Sequence, residues 1–336
     1  MSGGYVWYHL RPNKAVERQL FIELLAKLNR YLPISDYCYI SFGGPYFEDF
    51  KLIHTHFANT KMISIEEDPN VFERQKFNLP HACIRTENCT SGQFITDRLD
   101  SNESNIIWLD YASASDQLRQ FTEFQSLLSK SRLYDVIKIT LNANPSSLFD
   151  GSQRKIDGSN YTSAELYSNR LEKLNERIGS FLPNNLVANQ MTKDQYPAVL
   201  NRALDIAASQ IITTVDNNLR FQPLTSFYYG DSEHQMLTVT GIVINHTEIT
   251  EFLKATGIDK WDLASTVWGT TKLIQVPALT AKEKYTLDQK IPNQDIGELQ
   301  AVLGFYFDQK KKIHDQILDS YQKYYRYYPS YHKVVS

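Results

Sequence analysis

Between Asn13 and Leu32 the apolar residues Ala15, Leu20, Leu24, Leu25 and Leu28 recur near helical spacing, and Pro33 closes the run. The pattern predicts an amphipathic helix with Asn13 as its cap. A short aromatic and β-branched run, YCYISFG (37–43), then predicts a strand. Segment 48–58 reads as a helix with acidic residues in its first turn, where the helix dipole favours them. KMISIEED (61–68) is a second strand, and Pro69 suits the first position of a helix over 69–79. ACIRTEN (82–88) predicts a third strand and SGQFITDRL a short helix. NIIWLDYAS (105–113) is a strongly apolar fourth strand, 115–131 a helix capped by Ser115, and YDVIKITLN (134–142) a fifth strand. Five strand–helix alternations predict an α/β fold, a doubly wound and mostly parallel sheet covered on both faces. Burial on two faces accounts for the continuous apolar runs.

The rhythm breaks at residues 144–163, a segment rich in Ser, Gly and Asn. Helices are expected across about 164–215, so residues 146–218 read as a helical insertion. Segment 224–245 predicts two strands around a polar turn, Gly230 to His234, an antiparallel hairpin added late to the sheet. From Thr247 onward the pattern is mainly helical, with a long helix near 296–325. The expected organisation is a helical segment over 1–35, a Rossmann-like domain over 36–245 and a helical C-terminal region over 246–336.

The tips of the predicted strands carry the candidate chemistry. Strand one ends at Gly43-Gly44, strand two at Glu66-Glu67-Asp68, strand three at Glu87-Asn88, strand four at Asp110-Tyr111, and strand five at Asn142 and Asn144-Pro145. In an open parallel sheet, ligands bind beyond these carboxyl ends. Each group also has a plainer role, as a turn glycine, a helix approach or a cap. Their order and spacing are what point to a ligand. Glu66 lies 22 positions beyond Gly44, the separation at which a carboxylate on the second strand meets a ribose. Glu66 follows Ile65 directly and belongs at the strand tip, whereas Glu67 and Asp68 fall in the turn before Pro69.

With these residues in place, segment 36–245 resembles the class I S-adenosylmethionine-dependent methyltransferase fold, with strand order 3-2-1-4-5-7-6 and an antiparallel seventh strand. The hairpin at 224–245 stands where strands six and seven fall in that order. The resemblance implies that Ser41, Gly43 and Gly44 pack on the methionine part of the cofactor. It implies that Glu66 holds the ribose, that Asn88, with Glu87 beside it, approaches adenine, and that Asp110 and Tyr111 face cofactor and acceptor. Asp110 is then the nearest base, Tyr111 a stacking or hydrogen-bonding contact, and residues 146–218 a wall for the substrate. Ser41 stands where the family's first motif usually carries an acid, and no third glycine follows. A non-catalytic subunit of the same fold, serving a larger assembly, is therefore the second reading. LDYAS lacks the Asn/Asp-Pro-Pro-aromatic signature of amino-methylating enzymes of nucleic acids.

Other chemistry finds less footing. GGPYFED is not a Gly-x-Gly-x-x-Gly turn, and neither a Gly-Lys-Ser/Thr loop nor a Gly-x-Ser-x-Gly elbow occurs. With 42% hydrophobic and 22% charged residues the chain predicts a packed fold, and a net charge of −3 gives no general attraction to nucleic acid or to an anionic membrane. The cysteines Cys38, Cys83 and Cys89 form no CxxC pair, so no metal is expected. So few cysteines, and a first stretch without an apolar signal core, set the expectation of a cytoplasmic protein without a membrane span.

Two aromatic and basic groups remain. Arg11, Lys14 and Arg18 stand beside Trp7, Tyr8 and His9, and read as a solvated helix face or as a holder for a phosphate or carboxylate. The tail KYYRYYPSYHK suits a protein partner, a single-stranded nucleic acid, or simple packing of its tyrosines on the domain. QKKKIHDQ (309–316) reads as a solvated helix face.

Overall fold

Pro12 opens the first helix, α1 (Pro12–Leu28), of the computed structural model, which describes residues 11–152, 155, 157–231 and 234–329. Proline fits there because its missing N–H would have no partner in the first turn. Asn13 is inside the helix and is not its cap. Its side chain donates to the Gly230 carbonyl at 3.1 Å and accepts from the Val276 N–H at 2.8 Å, tying α1 to two distant segments.

The alternation then runs β1 (Cys38–Ser41), α2 (Glu48–Phe57), β2 (Met62–Glu66), α3 (Pro69–Phe77) and β3 (Ile84–Asn88). It continues through α4 (Ser91–Gln93), which passes into a π-type turn, then β4 (Asn105–Asp110), α5 (Gln117–Lys130) and β5 (Val136–Asn142). Ser115 does not cap α5: its hydroxyl pairs with Ser113 and Asp116, and the helix starts two residues later. The insertion contributes α6 (Ser163–Ile178) and α7 (Tyr196–Val215). The late hairpin is longer than expected, β6 (Leu219–Asp231) with β7 (His234–Asn245). The sheet order is β3-β2-β1-β4-β5-β7-β6, with β7 antiparallel to both of its neighbours.

The C-terminal region is helical with one exception. After α8 (Ile249–Thr256), a three-residue strand, β8 (Lys272–Ile274), adds to the sheet parallel to β6. The long helix expected near 296–325 is divided. After α9 (Ala281–Asp288), α10 (Ile296–Leu303) stops at Gly304, a left-handed residue, and α11 (Lys311–Tyr324) begins afresh. His314, expected on a solvated face, is fully buried.

Side-chain alternation along the strands splits the core. Ile40, Ile107, Leu109, Ile137 and Ile139 pack under α5, α6 and α7. Tyr39, Met62, Ile106, Trp108 and Val136 pack on the opposite face under α1 and α2. A third cluster joins α1 to β6, β8 and the C-terminal helices through Val16, Leu20, Tyr229 and Ile274. The described tail tyrosines belong to it: Tyr321 and Tyr324 are fully buried, and Tyr328 donates to the Pro277 carbonyl and accepts from the Leu279 N–H, both at 2.9 Å. Residues 330–336 of the tail, and Trp7, Tyr8 and His9, lie outside the described residues. No helix among the described residues is long and apolar enough to cross a membrane.

Candidate active site

Ser41 pairs with Ser64 on β2 and with Trp108 on β4. Two residues further along each chain stand Gly43, Glu66 and Asp110. Glu66 and Asp110 close β2 and β4 with the side-chain parity of Ser64 and Trp108, and Gly43 stands in the turn beyond β1, the strand between them. At ~4.8 Å between strands, Glu66 and Asp110 flank β1 from roughly 10 Å apart. Asn88 joins from β3, where it is the register partner of Glu66.

The turn after β1 is built from left-handed residues: Gly43 at φ +64°, Gly44 at φ +55° and Phe47 at φ +53°. A Cβ on Gly43 would come within 2.4 Å of Ser64 Oγ, and the φ is one that side chains resist. The turn is pinned from below. The Phe42 carbonyl accepts from Gln75 Nε2 at 2.9 Å, while Ser64 Oγ lies 3.1 Å from Gln75 Oε1. Ser41 is buried at the strand end, and Gly43 and Gly44 stand half-buried in the bend above it.

Glu66 is half-buried. Its Oε1 accepts the Asp68 N–H at 2.9 Å. Burial raises its pKa above the ordinary carboxylate value, against the lowering pull of that N–H. Asn88 donates from its side chain to the Glu66 carbonyl at 2.8 Å, so it braces the β2 tip. Glu87 is held by Arg85 and Arg98. Asp68 caps α3, accepting from the Asn70 and Val71 N–H groups.

Asp110 and Tyr111 point to opposite faces, as neighbours on a strand must. Asp110 meets α1: Lys14 Nζ lies 2.9 Å from Oδ1 and 3.0 Å from Oδ2. Lys14 is therefore not on a solvated face. It is 4% exposed, and its ammonium stands 4.7 Å from the Trp108 ring and 5.9 Å from that of Tyr229. Burial pushes the Asp110 pKa up, but Lys14, with help from Arg18 and Lys138, outweighs it, and the carboxyl is held below its usual range. For Lys14 the balance runs likewise: burial lowers, but Asp110, Tyr229 and Glu17 prevail and raise its pKa. Tyr111, expected beside the acceptor, turns instead into the α5 side of the core. Its hydroxyl donates to Glu123 Oε2 at 2.5 Å, where Ser91 also donates at 2.6 Å, and its ring meets Phe42 edge-on. Burial first, then Glu123, raises its pKa well above that of a free phenol.

Lys138 was not legible as a site residue. It lies in the middle of β5, is fully buried, and pairs with Glu17 of α1 at 2.5 Å. Its ammonium stands 3.7 Å from the Trp108 ring and 4.1 Å from that of Phe21. Burial draws its pKa down to about 8 against the attraction of Glu17. The available signal was a lone lysine inside an apolar strand, VIKITLN, matched by the Lys14–Glu17 spacing on α1, which puts both on one helix face. Among the described residues no group of three His, Cys, Asp or Glu side chains is placed to hold a metal. A surface cleft of about 430 Å³ lies elsewhere, between Gly92 and Thr96 on one side and Leu118, Arg119 and Thr122 of α5 on the other. None of the strand-tip residues lines it, though Glu123, the partner of Tyr111, does.

A family model described as "Putative O-methyltransferase" matches residues 6–336. The chain belongs to this family. The strand order, with its antiparallel seventh strand, is that of the class I methyltransferase fold, with β8 as an addition at one edge. Solved structures similar to this family member include the N-methyltransferase NodS from Bradyrhizobium japonicum WM9, at 11% identity and a TM-score of 0.34, covering 68% of this chain and 97% of that one. An O-methyltransferase from Bacillus cereus in complex with SAH is similar at 9% identity and a TM-score of 0.37, over 72% of this chain and 84% of that one. Human N-acetylserotonin methyltransferase in complex with SAM is similar at 12% identity and a TM-score of 0.31, over 68% and 56% respectively. No curated protein sequence matches the chain.

Proposed function

We propose that the chain binds S-adenosylmethionine across the tips of β1, β2 and β4 and methylates an oxygen of its acceptor. Membership of the O-methyltransferase family supports methyl transfer. The observation that supports the cofactor site is that Glu66 and Asp110 end the two strands on either side of β1, whose own end turns at Gly43 and Gly44. The residues fit the group. The Gly43-Gly44 bend runs in left-handed backbone without side chains of its own, so a ligand there would meet main chain. The half-buried Glu66 carboxylate keeps acceptor capacity beyond the backbone N–H groups of Glu67 and Asp68, which suits two ribose hydroxyls. Asn88 and Glu87 border the position of the base.

When bound, S-adenosylmethionine supplies a methyl group activated by its positive sulfur: the acceptor oxygen forms the C–O bond as the C–S bond breaks, the bond pair stays on sulfur as S-adenosylhomocysteine, and the hydroxyl proton leaves to a base or to water. The protein's part is alignment and control of charge. Asp110 is ionised and able to accept a hydrogen bond from the acceptor hydroxyl. Its pair with Lys14 makes it a weaker base than a free carboxylate. The insertion helices α6 and α7 are the proposed substrate wall.

The test is calorimetric titration of the purified protein with S-adenosylhomocysteine. Binding that weakens in Glu66→Ala supports the reading, and absence of binding by the wild type overturns it. The second reading, a non-catalytic binding subunit, draws on Ser41, which is buried where the family's first motif has an acid. It predicts that the wild type does not bind S-adenosylhomocysteine.

A further inference from the structure

We propose that Lys14 is a positioning residue that sets the charge met by the reacting end of the cofactor, by presenting Asp110 as an ion pair in place of a bare carboxylate. This rests on the proposed cofactor site and asks what the tip of β4 does within it. Asp110 keeps 30% of its side chain exposed at the tip of β4, while Lys14 reaches it from α1 with 4% exposed. The ammonium is fixed by contact with both carboxylate oxygens and by the Trp108 and Tyr229 rings. Arg18 and Lys138 also bear on Asp110, and Glu17 on Lys14. The helix that carries Lys14 is anchored at the same end by Asn13, bonded to Gly230 and Val276. The ammonium is therefore a built part of the site and not a loose surface charge.

The consequence is electrostatic. Methyl transfer discharges the positive sulfur. A bare anion at the β4 tip would stabilise the charged reactant more than the transition state or the neutral product, and so would oppose turnover. The Lys14–Asp110 pair removes most of that bias while leaving carboxylate oxygens to accept hydrogen bonds.

The experiment compares dissociation constants for S-adenosylmethionine and S-adenosylhomocysteine by calorimetry. The proteins are the wild type, Lys14→Met, Lys14→Arg, Asp110→Asn and the Lys14→Met/Asp110→Asn double variant. Lys14→Met is expected to shift the preference toward S-adenosylmethionine by about tenfold. Lys14→Arg keeps the wild-type ratio. Asp110→Asn, which leaves the ammonium without its anion, shifts the ratio the opposite way, and the double variant returns close to wild type. A merely structural role would weaken both ligands together and leave the ratio fixed. If Lys14→Met fails to fold, Asp110→Asn carries the test alone with its opposite sign. Binding with an unmoved ratio overturns this inference alone. Absence of both ligands from the wild type overturns the functional reading and this inference with it.

Discussion

Lys138 Nζ lies 2.5 Å from Glu17 Oε1, and the two side chains are 0% and 2% exposed. One residue belongs to the middle of a central strand and the other to the first helix, so the pair fixes where α1 lies on the sheet. The pair is imperfectly satisfied, because Glu17 Oε2 is buried without a hydrogen-bond partner. Burying charge is costly, and the attraction repays it only while both partners are present. Lys138→Met should therefore destabilise the protein by about 3–5 kcal/mol, since it strands Glu17. Lys138→Met with Glu17→Leu should recover most of that loss. Urea unfolding midpoints check both. A single variant as stable as wild type would mean that the pair does not hold α1.

Gly43 answers a different question, whether the bend after β1 is a spacer or a cradle. With φ at +64° and a Cβ that would lie 2.4 Å from Ser64 Oγ, alanine has two objections to overcome. The backbone objection is worth about 1–3 kcal/mol. Ser64 cannot yield freely, since its hydroxyl sits between the Phe42 carbonyl and Gln75. Gly43→Ala should lower the unfolding midpoint and weaken S-adenosylhomocysteine binding. Gly43→Ala/Ser64→Ala should recover only the steric share. Full recovery of both properties would show that the left-handed backbone is not strained there.

The α/β alternation was legible because each buried strand is a run of apolar residues ended by a polar tip, as at Glu66 of β2 and Asp110 of β4. Strand lengths fix register once the apolar blocks are aligned. What faced the tips was not legible. Lys14 read as a solvated charge or as a holder for a phosphate or carboxylate, but nothing local says that the carboxylate is that of Asp110, 96 positions away. Lys138 was absorbed into an apolar strand for the same reason, since its partner is 121 positions distant. Adjacency in sequence set Tyr111 beside Asp110, and strand geometry turns the two side chains to opposite faces. The three residues of β8 carry too little pattern to signal a strand, and they form one by resting on β6. Gly304 was the readable stop inside the supposed long helix, and its left-handed φ is where α10 ends.

Tyr111 can be assigned by separating stability from turnover. Its hydroxyl and that of Ser91 share Glu123 Oε2, while Arg119 takes Oε1 at 3.0 Å. A hydrogen bond to a buried carboxylate contributes ~1.5–3 kcal/mol. Tyr111→Phe should lower unfolding stability by about that amount. Tyr111→Phe with Glu123→Gln should lose less than the sum of the single variants, because the removed groups are partners. A fall in turnover with an unmoved unfolding midpoint would instead assign the hydroxyl to the acceptor.

Glu66 carries the sharpest pH dependence expected of the site. Burial raises its pKa, so in the free protein it takes up a proton above the ordinary carboxylate range. The ribose hydroxyls donate to the ionised form, and binding therefore competes with that proton. Affinity for S-adenosylhomocysteine should be full above the raised pKa and should fall as pH drops through it. Glu66→Gln removes the titration and part of the acceptor capacity. It should cost about 2 kcal/mol, roughly thirtyfold in affinity at neutral pH, and flatten the profile on the acid side. Titrations from neutral to mildly acidic pH with both proteins decide it. Parallel profiles for wild type and Glu66→Gln would take the ribose away from Glu66.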